Sequence, residues 1–457
     1  MTIGRLGSFM RACGRVHAKM GDFWWYSMMI FLACRAADLL NAFVGLWLVP
    51  KYVDPEELGA ILPLANFANF VALPVGAFAA TFRNEVSRLA SGRELGKLKT
   101  LMKGVFIAAA AFLFVALALT RFVLPAYMTR LRIVEGSLGT IIVFSSFVGV
   151  VSPIFGNALQ SLKRFRSYSL ISVVSAPIRL VAMLVAMPLR AISGYFVGQT
   201  APPAFSMLAA VFFLRKDLSV KAEPYWTRDV VRRFAGLFAV FAASGAVFGF
   251  TTLVESTVLR QRLPALDSAA YYMVTRFSDI ANFLSTTLAF TIFPFAADAA
   301  ARNGDTRPLV VKASLATAAF GAALAAAFGA FGARLMSVMP HGSAYAAFAW
   351  AIPCLIGINV MNAATNYYTT VQTAACRFGF LKLMLPLNLL YAAALLFVTG
   401  HGYFSGILPP AWTAFLDAHP VGTLEAMVTW MAAFTVSKLL ACAALMALER
   451  RGGGNGK

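Results

Sequence analysis

Apolar residues fall into twelve long runs along this chain, and short polar gaps separate the runs. The runs lie at about 24–48, 58–82, 104–124, 138–159, 168–188, 191–214, 234–259, 270–297, 310–332, 346–368, 379–399 and 424–448. A helix needs roughly 20 apolar residues to cross the ~30 Å hydrocarbon core of a bilayer. The pattern therefore predicts an all-α membrane protein with twelve transmembrane helices.

The 39 lysine and arginine residues alternate in density from gap to gap. When cations near a run end are counted with the neighbouring gap, the N-terminal segment, every second gap and the C-terminal tail hold 27 of them and the other gaps hold 8. The remaining four lie deep inside the runs. Loops rich in lysine and arginine stay on the cytoplasmic side of a membrane. We therefore expect a multi-pass protein with both termini in the cytoplasm.

Composition excludes most soluble functions. The chain of 457 residues is 60% hydrophobic and 13% charged, and no gap has room for a soluble catalytic domain. The net charge of +20 comes largely from the cytoplasmic gaps, so it favours contact with anionic lipid headgroups over binding to nucleic acid. The sequence contains neither a GxxxxGKS/T nucleotide loop nor a CxxC pair. We expect no cofactor, no metal site and no enzymatic activity.

One sequence offset, 213 residues, recurs when the chain is compared with itself. Ala68-Asn69-Phe70 matches Ala281-Asn282-Phe283, and Arg164-Phe165 matches Arg377-Phe378 at equivalent places between the predicted helices. Each half holds six predicted helices, an even number, so both halves enter the membrane in the same direction. We predict two six-helix bundles related by a pseudo-twofold axis along the membrane normal. A cleft between two such bundles suits a transporter that works by alternating access.

The repeat and the charge pattern divide the chain into five parts. They are a basic amphipathic cytoplasmic segment at 1–23, an N-terminal bundle at 24–214, a basic cytoplasmic linker at 215–233, a C-terminal bundle at 234–448 and a cytoplasmic tail at 449–457. The first segment suits a helix on the inner membrane surface, and a frayed basic tail is the alternative.

Charged residues also lie inside the apolar runs, where a charge at the helix centre costs roughly 2.5–3.5 kcal/mol. They are Arg35, Asp38, Arg179, Glu255, Arg276, Asp279 and Lys438. Arg35 and Asp38 lie three residues apart on one helix face and can neutralise each other. The same spacing joins Arg276 and Asp279. Mutual neutralisation is therefore one explanation of these four charges, and exposure to a cavity is the other.

The remaining cations, Arg179 and Lys438, have no acidic residue within a helical turn. This arrangement favours a water-filled cavity or an anionic ligand beside them. We expect all four intramembrane cations to face a central cavity of net positive charge, which suits a substrate bearing phosphate or carboxylate. Asp38, Asp279 and Glu255 are candidates for binding a coupling ion.

Three asparagines lie within the tenth run at positions i, i+3 and i+7, so they share one helix face. Such amides either hold helices together by hydrogen bonds or line a hydrated path and bind sugar hydroxyls. The candidate substrate-binding residues are therefore Arg35, Arg179, Arg276, Lys438, Asn359, Asn362 and Asn366.

Three stretches resemble the polysaccharide-transporter branch of the multidrug/oligosaccharidyl-lipid/polysaccharide (MOP) exporter superfamily, which includes the O-antigen flippases. They are Tyr52-Val53-Asp54-Pro55-Glu56-Glu57-Leu58-Gly59, Asn157-Ala158-Leu159-Gln160-Ser161-Leu162-Lys163-Arg164-Phe165 and Ala270-Tyr271-Tyr272-Met273-Val274-Thr275-Arg276-Phe277-Ser278-Asp279. The resemblance implies a flippase of the bacterial inner membrane for undecaprenyl-diphosphate-linked oligosaccharides, with a cationic central cavity. It also implies a role in lipopolysaccharide synthesis beside a polysaccharide polymerase and export machinery. We expect a monomer, and twelve helices separate the chain from the lipid II flippases, which usually carry fourteen.

Two other functions stay open at this stage. A cation-coupled multidrug exporter of the same fold would need a net acidic cavity, which four buried cations oppose. A membrane-embedded glycosyltransferase or polymerase would need catalytic acids on a large outer loop, and only the gap at 400–423 is long enough. For a flippase, sodium ions, protons and the membrane potential are alternative driving forces.

Overall fold

The structure is a computed structural model with side chains. It describes residues 35–91, 94–133, 138–162, 164–301, 305–375, 377–404 and 422–452. The basic segment at 1–23, the start of the first apolar run and most of the 400–423 loop lie outside the described residues. Three of the five cysteines, Cys13, Cys34 and Cys376, also lie outside the described residues.

Helices account for nearly all of the described chain. We number them α1 (35–52), α2 (Pro55–Leu58), α3 (Ile61–Ser91), α4 (Leu95–Arg130), α5 (Leu138–Ser161), α6 (Phe165–Leu214), α7 (Arg228–Arg262), α8 (Ala265–Ser278), α9 (Asn282–Ala301), α10 (Arg307–Val338), α11 (Gly342–Tyr345), α12 (Ala351–Ala374), α13 (Leu381–Phe404) and α14 (Leu424–Gly452). The expected all-α architecture is confirmed for the described residues.

Eight helices of the described chain are long and apolar enough to cross a membrane. A ninth is counted if the segments Gly342–Phe348 and Ala351–Ala374, bent by 64° against each other, form one span. The chain is therefore a multi-pass, all-helical membrane protein. The number of twelve spans stays a prediction.

Helix α6 is counted as one of the eight membrane-spanning helices, but it is a hairpin with two arms. It therefore explains part of the difference from the twelve predicted spans. Its 50 residues include both the fifth and the sixth apolar run, and the backbone leaves helical geometry at Arg190 and Ala191. A Cβ added at Gly194 would lie 2.2 Å from the carbonyl oxygen of Ala186, so the chain turns back on itself there. Glycine is needed for this close approach.

The chain forms two compact units. Unit 1 comprises Met1–Asn41, Val71–Pro125 and Gly136–Ala243, and unit 2 comprises Ala42–Phe70, Ala126–Glu135 and Ser244–Lys457. The two units are groups of residues that lie close together in space, whereas the bundles at 24–214 and 234–448 were predicted from the sequence repeat. The bundle boundaries therefore stay a prediction.

The two repeat halves end corresponding helices with the same backbone hydrogen bond. The amide of Arg164 donates to the carbonyl of Leu159 at 2.9 Å after α5, and the amide of Arg377 donates to Gln372 at 2.8 Å after α12. Both donors and both acceptors are 213 residues apart. The local structure thus agrees with the internal repeat.

In unit 1 the basic linker is docked on the ends of α3 and α4. The carboxylate of buried Glu85 accepts hydrogen bonds from the hydroxyl of Tyr225 and, at 2.5 Å, from the guanidinium of Arg233. Lys99 donates to the carbonyl of Val220 at 2.9 Å. The predicted linker at 215–233 is therefore held against unit 1 by charged hydrogen bonds.

In unit 2 the segment 55–59 packs against α8, its neighbour from the other repeat half. A Cβ added at Gly59 would lie 2.2 Å from the hydroxyl and 2.9 Å from the backbone carbon of Ser268. Arg260 supports the same region, because its guanidinium donates to the carbonyls of Glu56 and Leu131. The close packing of 55–59 on α8 is possible because Gly59 has no side chain.

We expect Gly59→Ala to destabilise unit 2 by about 1–3 kcal/mol, the usual cost of overpacking, because a backbone atom of Ser268 must move. Gly357→Ala is the matched control, since no described atom lies within 4 Å of a Cβ there. The thermal denaturation midpoint of the purified variants checks the difference. Equal midpoints for both variants would show that the close packing of 55–59 on α8 is wrong.

Candidate functional site

Two polar groups of the described residues lie among the apolar helices, one in each unit, and a separate ion pair lies in unit 2. In unit 1 the N-terminal cluster consists of Arg35, Asp38 and Asn41 on α1 and Arg179 on α6. The three α1 residues recur every three positions and therefore share one helix face. Arg35 and Asp38 form an ion pair of 3.0 Å, with side chains 27% and 29% exposed. The i, i+3 spacing therefore does bring these two charges together in one ion pair.

Arg179 joins this cluster through a neutral partner. Its guanidinium donates a hydrogen bond to the side-chain carbonyl of Asn41, and it also attracts the carboxylate of Asp38. The cluster therefore carries two guanidinium charges and one carboxylate charge. The two guanidiniums offer planar donors that match the oxygens of a phosphate.

A second ion pair lies in unit 2, at the end of α8. Arg276 and Asp279 are 3.1 Å apart, and the guanidinium lies 5.2 Å from the ring centre of Tyr272. A Cβ at Gly45 would lie 2.9 Å from Cδ of Arg276, so α1 approaches this arginine closely. The charges of Arg276 and Asp279 neutralise each other. That Arg276 contacts the substrate stays a prediction.

The second polar group is the C-terminal cavity, a space of about 290 Å³ inside unit 2. It is lined by Phe248, Thr251, Thr252, Glu255, Tyr271, Thr275, Ser278, Leu355, Ile358, Asn359, Asn362, Asn388, Met431, Phe434, Thr435 and Lys438. These residues come from α7, α8, α12, α13 and α14. Polar and apolar side chains are mixed on its wall, as in pockets that hold small molecules.

Glu255 and Lys438 give the C-terminal cavity one charge of each sign. Lys438 donates to the side-chain carbonyl of Asn362 at 2.7 Å and lies 4.5 Å from the ring centre of Phe434. Tyr391 donates to Glu255 at 3.0 Å and stacks on Phe434 at 3.8 Å. The carboxylate and the ammonium attract each other across the cavity, although they are not among the direct ion pairs of the described residues.

The amide row on α12 divides at the cavity. Asn359 donates to the backbone carbonyl and the hydroxyl of Ser278 at 3.2 and 3.3 Å, and Asn362 accepts from Lys438. Both line the cavity, whereas Asn366 is exposed and does not. The structure therefore brings Glu255, Lys438 and two of the three amides together.

Sequence reasoning missed several residues of these groups. Asn41 lies one turn beyond Asp38 on the same face, and that spacing could have identified it. Asn388 is a single amide within the eleventh apolar run, which is also a usable signal. Tyr391 and Thr435 could not have been found, because tyrosine and threonine are common in membrane helices without any site nearby.

Neither the models of known protein families nor the curated proteins match this chain significantly. Solved structures match its fold. A MATE-family multidrug-resistance transporter of the MOP superfamily, in an inward-facing conformation, aligns with a TM-score of 0.64 at 12% identity over 92% of this chain and 96% of its own.

Two further structures match over similar lengths. One is a MOP-superfamily transporter from Pyrococcus furiosus, described as having a binding pocket of reverse polarity (TM-score 0.58, 13% identity, 95% of this chain and 97% of that one). The other is the lipid II flippase MurJ in an inward closed conformation (TM-score 0.58, 13% identity, 93% and 87%). At these identities the similarity shows a shared fold and leaves function open.

Proposed function

We propose that this protein is a flippase that moves a lipid-linked oligosaccharide across the bacterial inner membrane by alternating access. The oligosaccharide is carried on undecaprenyl diphosphate and serves surface polysaccharide synthesis, including O-antigen and lipopolysaccharide. Twelve helices in two bundles, with both termini cytoplasmic, form the transporter. The fold shared with MOP-superfamily structures supports a transporter, and the resemblance of the three sequence stretches supports this branch.

We infer the class of substrate from the charged groups of the N-terminal cluster. Its two guanidiniums and single carboxylate lie on helices that are otherwise apolar. Guanidinium groups there suit an anionic ligand, because their planar donors match the oxygens of a phosphate. A diphosphate supplies such an anion, while its lipid tail can remain in the bilayer.

A cation-coupled multidrug exporter is the second candidate. It is favoured by Glu255, a carboxylate on the wall of the C-terminal cavity, and by the TM-score of 0.64 with a MATE-family transporter. The ammonium of Lys438 in the same cavity opposes it, because it offsets the attraction of Glu255 for an organic cation.

Lipids that co-purify with the full-length protein distinguish the two candidates. Mass spectrometry of a mild detergent extract should detect a polyprenyl diphosphate carrying sugar residues, enriched over a membrane protein of unrelated fold purified in parallel. Arg179→Ala should reduce that enrichment. An extract holding only phospholipids, together with saturable binding of the organic cation ethidium, would favour the exporter and contradict the proposal.

The proposed topology has its own test, based on the alternation of lysine and arginine between gaps. In a variant without native cysteines, a cysteine introduced in the 400–423 loop should react with an impermeant thiol reagent added outside intact cells. A cysteine introduced at 91–97 should react only after the cells are opened. Labelling of both positions from the same side would contradict the twelve-span topology.

A further inference from the structure

The C-terminal cavity exposes hydrogen-bond acceptors that the protein itself does not use. One carboxylate oxygen of Glu255 accepts from Tyr391, and the other has no donor among the described residues. The side-chain carbonyl oxygens of Asn359 and Asn388 are likewise without a described donor, because both residues use only their amide nitrogens. Three acceptors on the cavity wall therefore remain for a ligand.

The same wall also offers donors. The ammonium of Lys438 has three N–H groups and one described hydrogen bond, to Asn362. The side-chain amide nitrogen of Asn362 and the hydroxyl of Thr435 make no hydrogen bond to another described residue. The cavity thus mixes unused donors and acceptors, and a hydroxyl can serve as either.

This complement identifies the class of ligand. A diphosphate only accepts hydrogen bonds at neutral pH, so it would leave the three acceptors unsatisfied, and a buried polar group without a partner costs about 1–3 kcal/mol. An apolar organic cation would satisfy few of these groups and would face Lys438. Sugar hydroxyls both donate and accept. The ring of Tyr271 on the cavity wall adds apolar surface for the sugar's C–H face.

The charge and the volume of the C-terminal cavity restrict the class of ligand further. Glu255 and Lys438 cancel each other, so the cavity favours a neutral ligand over an acidic sugar. The volume of about 290 Å³ lies at the lower end of small-molecule pockets, which span ~300–1,000 Å³. It is large enough for one sugar ring and too small for an oligosaccharide.

We propose that the C-terminal cavity is a recognition subsite for one neutral, hydroxyl-rich sugar residue of the transported glycan. The inference rests on the proposed flippase function, in which the transported lipid carries a glycan. Lys438, Asn359 and Asn362 accordingly recognise sugar hydroxyls.

The test compares two probes on the full-length protein in nanodiscs. The first is a short-chain polyprenyl diphosphate, and the second is the same carrier bearing one sugar, drawn from glucose, galactose, N-acetylglucosamine, N-acetylgalactosamine and glucuronate. At least one neutral sugar should strengthen binding roughly tenfold over the bare carrier, equivalent to one or two hydrogen bonds of average strength. Glucuronate should add nothing.

Thr435→Val is the most informative variant, because it deletes a hydroxyl that makes no described hydrogen bond and keeps the side-chain shape. It should reduce the gain from the sugar by about threefold or more and leave binding of the bare carrier unchanged. Thr429→Val is the matched control on the same helix, exposed and outside the cavity. Asn359→Leu is a second cavity variant that should give the same pattern.

The outcomes separate the two proposals. If the wild-type protein binds carrier and carrier-sugar equally, or if Thr435→Val and Asn359→Leu leave the gain intact in folded protein, the sugar subsite is wrong and the flippase function stands. If glucuronate gives the gain and the neutral sugars do not, the neutral-sugar assignment is wrong. If neither probe binds, the proposed function itself is contradicted.

Discussion

Arg179→Ala should abolish transport of the lipid-linked glycan while the protein remains folded and at normal abundance. The substitution removes one of the two guanidiniums of the N-terminal cluster and leaves the ion pair of Arg35 and Asp38. Losing one member of a buried charge contact typically costs about 2–5 kcal/mol, or roughly 30- to 5,000-fold in affinity. Accumulation of the precursor on the inner leaflet, measured in cells, checks the result.

Two companions make this prediction specific. Arg179→Lys should restore transport only in part, because an ammonium cannot form the two parallel hydrogen bonds that a guanidinium gives a phosphate. Arg166→Ala, an exposed arginine on the same helix, should behave as wild type. If Arg179→Ala lowers protein abundance instead, the arginine holds the fold rather than the substrate. Full transport at normal abundance would remove Arg179 from the site.

Glu255→Leu should destabilise unit 2, because the ammonium of Lys438 then has no carboxylate in its cavity. Because the two charges attract each other across the cavity and form no direct ion pair in the described part of the chain, the expected cost is about 1–3 kcal/mol, that of a buried polar group without its partner. Lys438→Met should be destabilising for the converse reason. The double variant Glu255→Leu/Lys438→Met should recover most of the lost stability, since it leaves neither charge uncompensated. Thermal denaturation of the four proteins in one detergent measures the coupling.

Transport gives the second readout of this cycle. The double variant should be stable yet lose selection of the sugar, because both charged groups of the C-terminal cavity are gone. Additive effects of the two single variants on stability would show that Glu255 and Lys438 do not compensate each other. A stable double variant with undiminished sugar selection would place recognition elsewhere.

The helical fold was predictable because the bilayer imposes it. Apolar runs of sufficient length must form helices there, since every backbone polar group needs a partner within the chain. The turn at Arg190 and Ala191 illustrates the limit. The sequence places the break between two runs correctly, but the tight contact of Gly194 with Ala186 depends on how the two arms pack. A periodicity argument contains no information on that packing.

Those parts of the candidate site that depend on neighbouring residues within one helix were predictable from the sequence. Arg35 with Asp38 and Arg276 with Asp279 pair as their spacing suggests, because neighbours on a helix face meet wherever the helix lies. The grouping of Glu255 with Lys438 was not predictable, since helices far apart in sequence create it. The expectation of one positively charged central cavity stays a prediction. The C-terminal cavity holds one charge of each sign, Glu255 and Lys438, and Arg35 and Arg179 lie in the N-terminal cluster.

Transport in proteoliposomes tests the central claim most directly. The purified full-length protein is reconstituted, and a fluorescent polyprenyl diphosphate bearing a single N-acetylhexosamine is placed in the membrane. Its arrival in the opposite leaflet is followed with an impermeant quencher. The proposed function predicts translocation by the wild type that far exceeds that of protein-free vesicles and of Arg179→Ala. Equal rates in all three, with transport of ethidium by the wild type alone, would contradict it.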